Sequence, residues 1–200
     1  MKWLWKKKHI TYNEKPYPVT KPYVSSPGSR RKRVPSKNIE RYYIPLSVVE
    51  ATNKLFRKFG ALNTEGYAWW AGYINCDDEA QVCTALYPNV TTLPGYVYLD
   101  RAMISAMNRR LIESDQILLV ELHTHPPGAG GQNHVDASNA ACFYPGFMTI
   151  VVPDFAAPKF YDLRDSYVYT YEWDGIWRKL EREEIVRRFI IEETLSEVKD

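Results

Sequence analysis

Apolar positions recur along this chain with two different periods, and the switches between them predict its elements. Val48, Thr52, Leu55 and Phe59 fall at helical spacing. Ser47 and Glu50 make a capping box in front of that helix, and Gly60 closes it. The apolar, aromatic stretch 65–74 predicts a central strand, and Asp77-Asp78 turns the chain into a second strand around Ala80–Leu86. Met103, Met107 and Leu111 lie four apart on one helical face, with Asp100 as the cap and Arg109-Arg110 near the end that the helix dipole favours for cations. The run Ile117-Leu118-Leu119-Val120-Glu121-Leu122 predicts a buried strand, and Phe147-Met148-Thr149-Ile150-Val151-Val152-Pro153 another. Residues 165–173 and 176–180 form a hairpin around Asp174-Gly175. Glu181, Glu183 and Glu184 open a last helix whose apolar positions are Ile185, Phe189, Ile191 and Leu195.

Helix, strands, helix, strands, helix in that order predict an α/β fold, a mixed β-sheet sandwiched by helices. The length of 200 residues suits one domain with extensions, since domains run to ~100–200 residues. Charge then divides the chain. Residues 1–40 hold eleven Lys/Arg against two Asp/Glu, whereas residues 41–200 hold fifteen against twenty-two. The first segment is therefore expected to be a basic, flexible N-terminal arm, and 41–200 the folded domain with its C-terminal helix. Such an arm can anchor an acidic partner, but nothing beside it resembles a nucleic-acid module, so a solvated tail is the expectation and nucleic-acid binding is not. The cysteines Cys76, Cys83 and Cys142 form no C-x-x-C pair and suit a reducing, cytoplasmic setting. Lys6-Lys7-Lys8 cuts short the apolar start, leaving no signal peptide, and no run approaches the ~18 apolar residues of a membrane span.

The chemistry concentrates in Glu121-Leu122-His123-Thr124-His125-Pro126 and in Asp136. Three of the four histidines, His123, His125 and His134, fall within twelve residues. Side chains alternate faces along a strand, so His123 and His125 point the same way and can grip one ion. Pro126-Pro127 stops the strand, and Gly128-Ala129-Gly130-Gly131 lets the chain turn back to bring Asp136 to the same place. Two nitrogens and one carboxylate oxygen leave the fourth tetrahedral position of Zn2+ open for water, as in catalytic zinc sites. Asp136 can also cap a helix beginning near Ala137. A charged Glu65 on an apolar strand is costly unless it is used or paired.

His-x-His-Pro followed by an aspartate eleven positions after the second histidine resembles the signature of the JAMM metalloproteases, the MPN (JAB-domain) type. The resemblance covers roughly residues 40–180 in element order and implies the layering of that fold, similar to cytidine deaminases. It implies zinc held by His123, His125 and Asp136, with Glu65 as the general base. Glu121, on the strand face of His123, would hydrogen-bond behind the ligands. The family usually carries a serine three positions before the aspartate, as an oxyanion donor; Asn133 stands there, and its side-chain NH2 can donate instead. Such enzymes cleave after the C-terminal Gly-Gly of ubiquitin or a ubiquitin-like protein, and the short chain looks like prokaryotic members paired with ubiquitin-like conjugation enzymes. The alternative is a catalytically weak or inactive MPN scaffold, a binding module; such proteins usually lose metal ligands, and all three stand here.

Overall fold

The apolar run before the histidines becomes the spine of a mixed sheet. The computed structural model describes residues 38–193, apart from 76, 77, 89, 94, 95, 100 and 159. The arm as far as residue 37, the Asp100 cap, Cys76 and Leu195 fall outside the described residues. In chain order the elements are β1 Tyr42–Pro45, α1 Leu46–Gly60, β2 Tyr67–Ile74, β3 Ala80–Leu86, β4 Thr91–Leu93, β5 Tyr96–Tyr98, α2 Arg101–Glu113 and β6 Ile117–Thr124. There follow α3 His134–Ser138, β7 Met148–Val152, a 3-10 turn Asp154–Ala156, β8 Tyr167–Tyr171, β9 Trp177–Lys179, α4 Arg182–Arg188 and β10 Phe189–Glu192. Eight strands form one sheet in the order β10-β1-β3-β2-β6-β7-β8-β9, while β4 and β5 pair separately. The sheet is mixed: β6 runs parallel to β7 and antiparallel to β2, and β1 is parallel to both its neighbours.

Two adjacent tryptophans show how fully the centre is covered. Trp69 and Trp70 point to opposite faces of β2, yet both are buried. At ~25 cal/mol per Å2, burying an aromatic side chain is worth roughly 4–6 kcal/mol in transfer free energy. On one face α1 lies across the sheet, and Trp70 Nε1 donates to Thr52 Oγ1 at 2.8 Å. On the other, Ala141 N–H donates to Glu121 at 2.6 Å and brings the segment after α3 down over Tyr67 and Trp69. The second helix, α2, packs along β6 and buries Met107 and Leu111. The α/β expectation, a mixed sheet with helices packed on it, therefore holds. No helix among the described residues is long and apolar enough to cross a membrane.

Two local expectations fail, each through tertiary pairing. Ser47 does not cap α1: the helix starts at Leu46, its N-cap is Pro45, and no side chain caps it. The reason is β1, which carries Pro45 into register with Glu192 and then runs directly into the helix. That shift moves Ser47 inside the first turn, where its hydroxyl is buried without a hydrogen-bond partner among the described residues. The last helix is also shorter than its apolar spacing predicts. It ends at Arg188, and Phe189-Ile190-Ile191-Glu192 is a strand parallel to β1, with Phe189 stacked on Tyr42 at 5.1 Å between ring centroids. β-branched Ile190 and Ile191 suit that edge pairing better than another helical turn.

Candidate metal centre

Strand period and strand end together aim the two imidazoles. His123 is the next-to-last residue of β6, opposite Tyr67 of β2 and beside Val151 of β7. His125 lies just past the strand, and backbone bonds hold it on both sides: its N–H donates to Val152 O at 3.0 Å, and Phe155 N–H donates to its carbonyl at 2.8 Å. The two rings sit 4.9 Å apart between centroids, with Nε2 facing Nε2 at 3.1 Å. His125 Nδ1 lies 2.8 Å from the Gly130 carbonyl. A carbonyl only accepts, so Nδ1 carries the proton and Nε2 keeps its lone pair for an ion.

The glycine-rich loop then delivers the carboxylate. α3 starts at His134, not near Ala137, and Asn133 is its N-cap. Asn133 Oδ1 accepts from the backbone N–H groups of Val135 and Asp136, at 2.8 and 3.1 Å. Asp136 closes the box, its Oδ2 accepting from Asn133 N–H at 2.9 Å. Asp136 is thus the third helical residue and not the cap. The same Oδ2 lies 3.7 Å from His123 Nε2 and 3.5 Å from His125 Nε2. Among the described residues these three side chains form a group able to hold a metal ion. Zinc with arms of ~2.0–2.1 Å at tetrahedral angles would separate its ligand atoms by roughly 3.3 Å. The observed 3.1, 3.5 and 3.7 Å bracket that spacing, so the donor set fits the ion in both chemistry and size. Exposed His134, next to the loop, is outside the group.

Burial and mutual charge give each acid a distinct state. Burial alone would raise the Asp136 carboxyl, but the His123 and His125 rings facing it and the bond from Asn133 N–H hold it well below the ordinary range. For His125, burial works against the charged ring, and the nearby Asp136 carboxylate and the Gly130 carbonyl outweigh it, so its pKa is raised. Glu65 is buried just before β2. Burial pushes its pKa up to about 7; the charge of His125 opposes that rise and the charge of Asp136 adds to it. Glu65 therefore senses both His125 and Asp136. Its neighbour Gly66 fixes its place: Gly66 N–H donates to Thr124 Oγ1 at 2.8 Å, and Thr124 N–H donates to Gly66 O at 3.0 Å. Thr124 stands between the two histidines, and that double bond ties the glutamate-bearing end of β2 to the end of β6.

Glu121 is also pushed up to about 7, by burial first, with bonds from Ala141 N–H and the Tyr67 hydroxyl opposing. Those two groups, and not a ligand imidazole, are its partners in the structure. Tyr67 in turn accepts from Trp69 Nε1 at 2.9 Å. Glu121 thus braces the wall behind His123. Thr124 and Gly130 complete the site without being predicted by its spacing. Thr124 was visible between the histidines as a small hydroxyl residue, but Gly130 acts through its carbonyl, which no side-chain pattern reveals.

No family model matches the chain, and no curated protein matches it. Solved structures do. Protein DSY2949 from Desulfitobacterium hafniense is similar at 16% identity over 78% of this chain and 97% of that one, with a TM-score of 0.56. At that identity the likeness speaks for the fold alone. AF2198 from Archaeoglobus fulgidus, a JAB1/MPN domain protein, aligns at 15% identity over 75% of this chain and 99% of its own, with a TM-score of 0.39. That superposition is too loose to carry an argument.

Proposed function

We propose that this chain is a zinc-dependent peptidase of the JAMM type, cleaving the peptide or isopeptide bond after the C-terminus of ubiquitin or a ubiquitin-like modifier. The observation that carries the reading is the convergence of His123 Nε2, His125 Nε2 and Asp136 Oδ2 beside a buried Glu65. When bound, zinc would supply Lewis acidity, bringing the pKa of water down to about 7 and polarising a carbonyl oxygen. The chain's own residues do the rest. Glu65 takes the proton of the attacking water and returns it to the leaving amine, a task suited to an acid poised near neutrality. Low basicity keeps the Asp136 carboxylate charged throughout. Asn133 spends its carbonyl oxygen on α3, which leaves Nδ2 to donate to the oxygen that gains charge at the scissile carbon. The modifier tail would lie extended beside the site, partly as an added strand. Conjugation enzymes for such a modifier are the expected functional neighbours.

The test is incubation of the purified full chain with ubiquitin-like modifiers, ending in Gly-Gly and fused to a reporter protein, with and without a chelator. Zinc near one equivalent per chain and chelator-sensitive cleavage after Gly-Gly are expected. Zinc binding with no cleavage of any such fusion would assign the chain to the scaffold class, and absence of zinc would remove the metal centre itself.

A further inference from the structure

Two of the three metal-facing side chains take their orientation from a loop, and the structure shows what that loop rests on. Gly130 lends its carbonyl to His125, and Asn133 caps the helix that carries Asp136. Only Gly131 and Gln132 separate those two duties. The glycines on the proximal side have open surroundings: a Cβ on Gly128 or Gly130 would meet no described atom within 4 Å. Gly131 is different, since a Cβ there would strike the Tyr169 hydroxyl and the Tyr167 ring. The backbone of the next residue, Gln132, faces the same Tyr169 hydroxyl. Tyr169 belongs to β8, paired with Thr149 of β7 and Lys179 of β9, so it is anchored on both sides by the sheet.

We propose that Tyr169 is a positioning residue for the metal centre, its hydroxyl pinning Gly131-Gln132 so that the Gly130 carbonyl meets His125 and Asn133 starts α3 in the place that aims Asp136. The loop is open around Gly128 and Gly130, held at its two working ends, and pressed onto the sheet at one point between them. Losing that point lets Gly130 and Asn133 move together, which disturbs one imidazole and the carboxylate at once. The inference rests on the metal centre proposed above. Partners behind metal ligands typically change affinity by ~10–100-fold when removed.

The experiment compares the full-length chain with Tyr169→Phe, Tyr167→Phe and Gly131→Ala. Zinc affinity is read by competition with a chromophoric chelator, and coordination geometry by the visible absorption of the cobalt(II)-loaded protein. Thermal melting in chelator reports stability separately. Tyr169→Phe keeps the ring and is expected to weaken zinc binding about tenfold or more and to alter the cobalt bands. Gly131→Ala should do the same by displacing the loop, while Tyr167→Phe keeps the parent's affinity and spectrum. Parent affinity and an unchanged cobalt spectrum in Tyr169→Phe, even with a lowered melting point, would overturn the assignment and leave the metal centre intact. A parent chain that takes up neither zinc nor cobalt would overturn both.

Discussion

Asn133 and Asp136 cap each other across the first turn of α3, and the oxygen that completes this exchange is the one facing both imidazoles. The helix start and the candidate metal ligand are thereby one structural unit. Asn133→Ala should cost about 1 kcal/mol of local stability through the lost cap and weaken zinc binding with it. Asn133→Ser keeps a capping oxygen and should restore both. Calorimetric zinc titration of the two variants checks this. If alanine binds zinc as tightly as asparagine, the cap does not aim Asp136.

Zinc should stabilise the fold only through the three convergent side chains. At a free concentration one hundred times the dissociation constant, a ligand confined to the native state adds about 2.7 kcal/mol. A rise in melting temperature on adding zinc is expected for the parent chain, along with its reversal by chelator. His123→Ala, His125→Ala and Asp136→Ala should each abolish the rise. A variant that still responds in full removes that residue from the ligand set.

Glu65 gives the chelator-treated protein a distinctive pH dependence. Its pKa is raised to about 7 by burial, against an ordinary value of 4.5. The folded chain then holds this proton more tightly than the unfolded chain, so stability is greatest below pH ~4.5 and falls as the pH rises toward ~7. Glu65→Gln should remove this contribution, gaining about 1–3 kcal/mol over the parent at pH 8 and nothing below pH ~4.5. Denaturant unfolding in chelator at the two pH values measures the difference. Glu121 is raised in the same direction, so some slope should persist in the variant. In the zinc-loaded protein the same substitution should keep the metal and lose turnover.

Thr124 ties the Glu65 end of β2 to the histidine end of β6. Thr124→Val retains shape but leaves the Gly66 N–H buried and unpaired, which costs about 1–3 kcal/mol. Thr124→Ser should recover most of that loss. Because the bond positions Glu65 and not the ligands, turnover should fall further than zinc affinity in the valine variant. Equal losses in both would place Thr124 in the ligand scaffold instead.

The site was largely legible because its spacing follows from two simple periods. A strand puts His123 and His125 on one side, and a glycine-rich loop ending in a short helix returns Asp136 to them. What stayed hidden depends on distant pairing or on backbone groups. β1 is four residues long, and its parallel partner lies far along the chain at Phe189–Glu192, so no local pattern marks either strand. Ser47-x-x-Glu50 had the right letters for a capping box, but β1 feeding directly into α1 overrode them. By comparison of signatures, Asn133 is only a stand-in for a catalytic serine. Its Asn-x-x-Asp spacing matches the reciprocal cap, which a helix start expected near Ala137 conceals.

One feature of α3 offers an optical handle on the candidate site. None of its five residues is buried, so little core packing holds it. Trp177 Nε1 donates to the carbonyl of Ala137, the residue directly after Asp136, at 3.1 Å. An indole thus touches the backbone one step from the candidate ligand. An ion that draws Asp136 toward the imidazoles would move that step, so the emission of this tryptophan, isolated by difference against Trp177→Phe, is expected to change on adding zinc and to return with chelator.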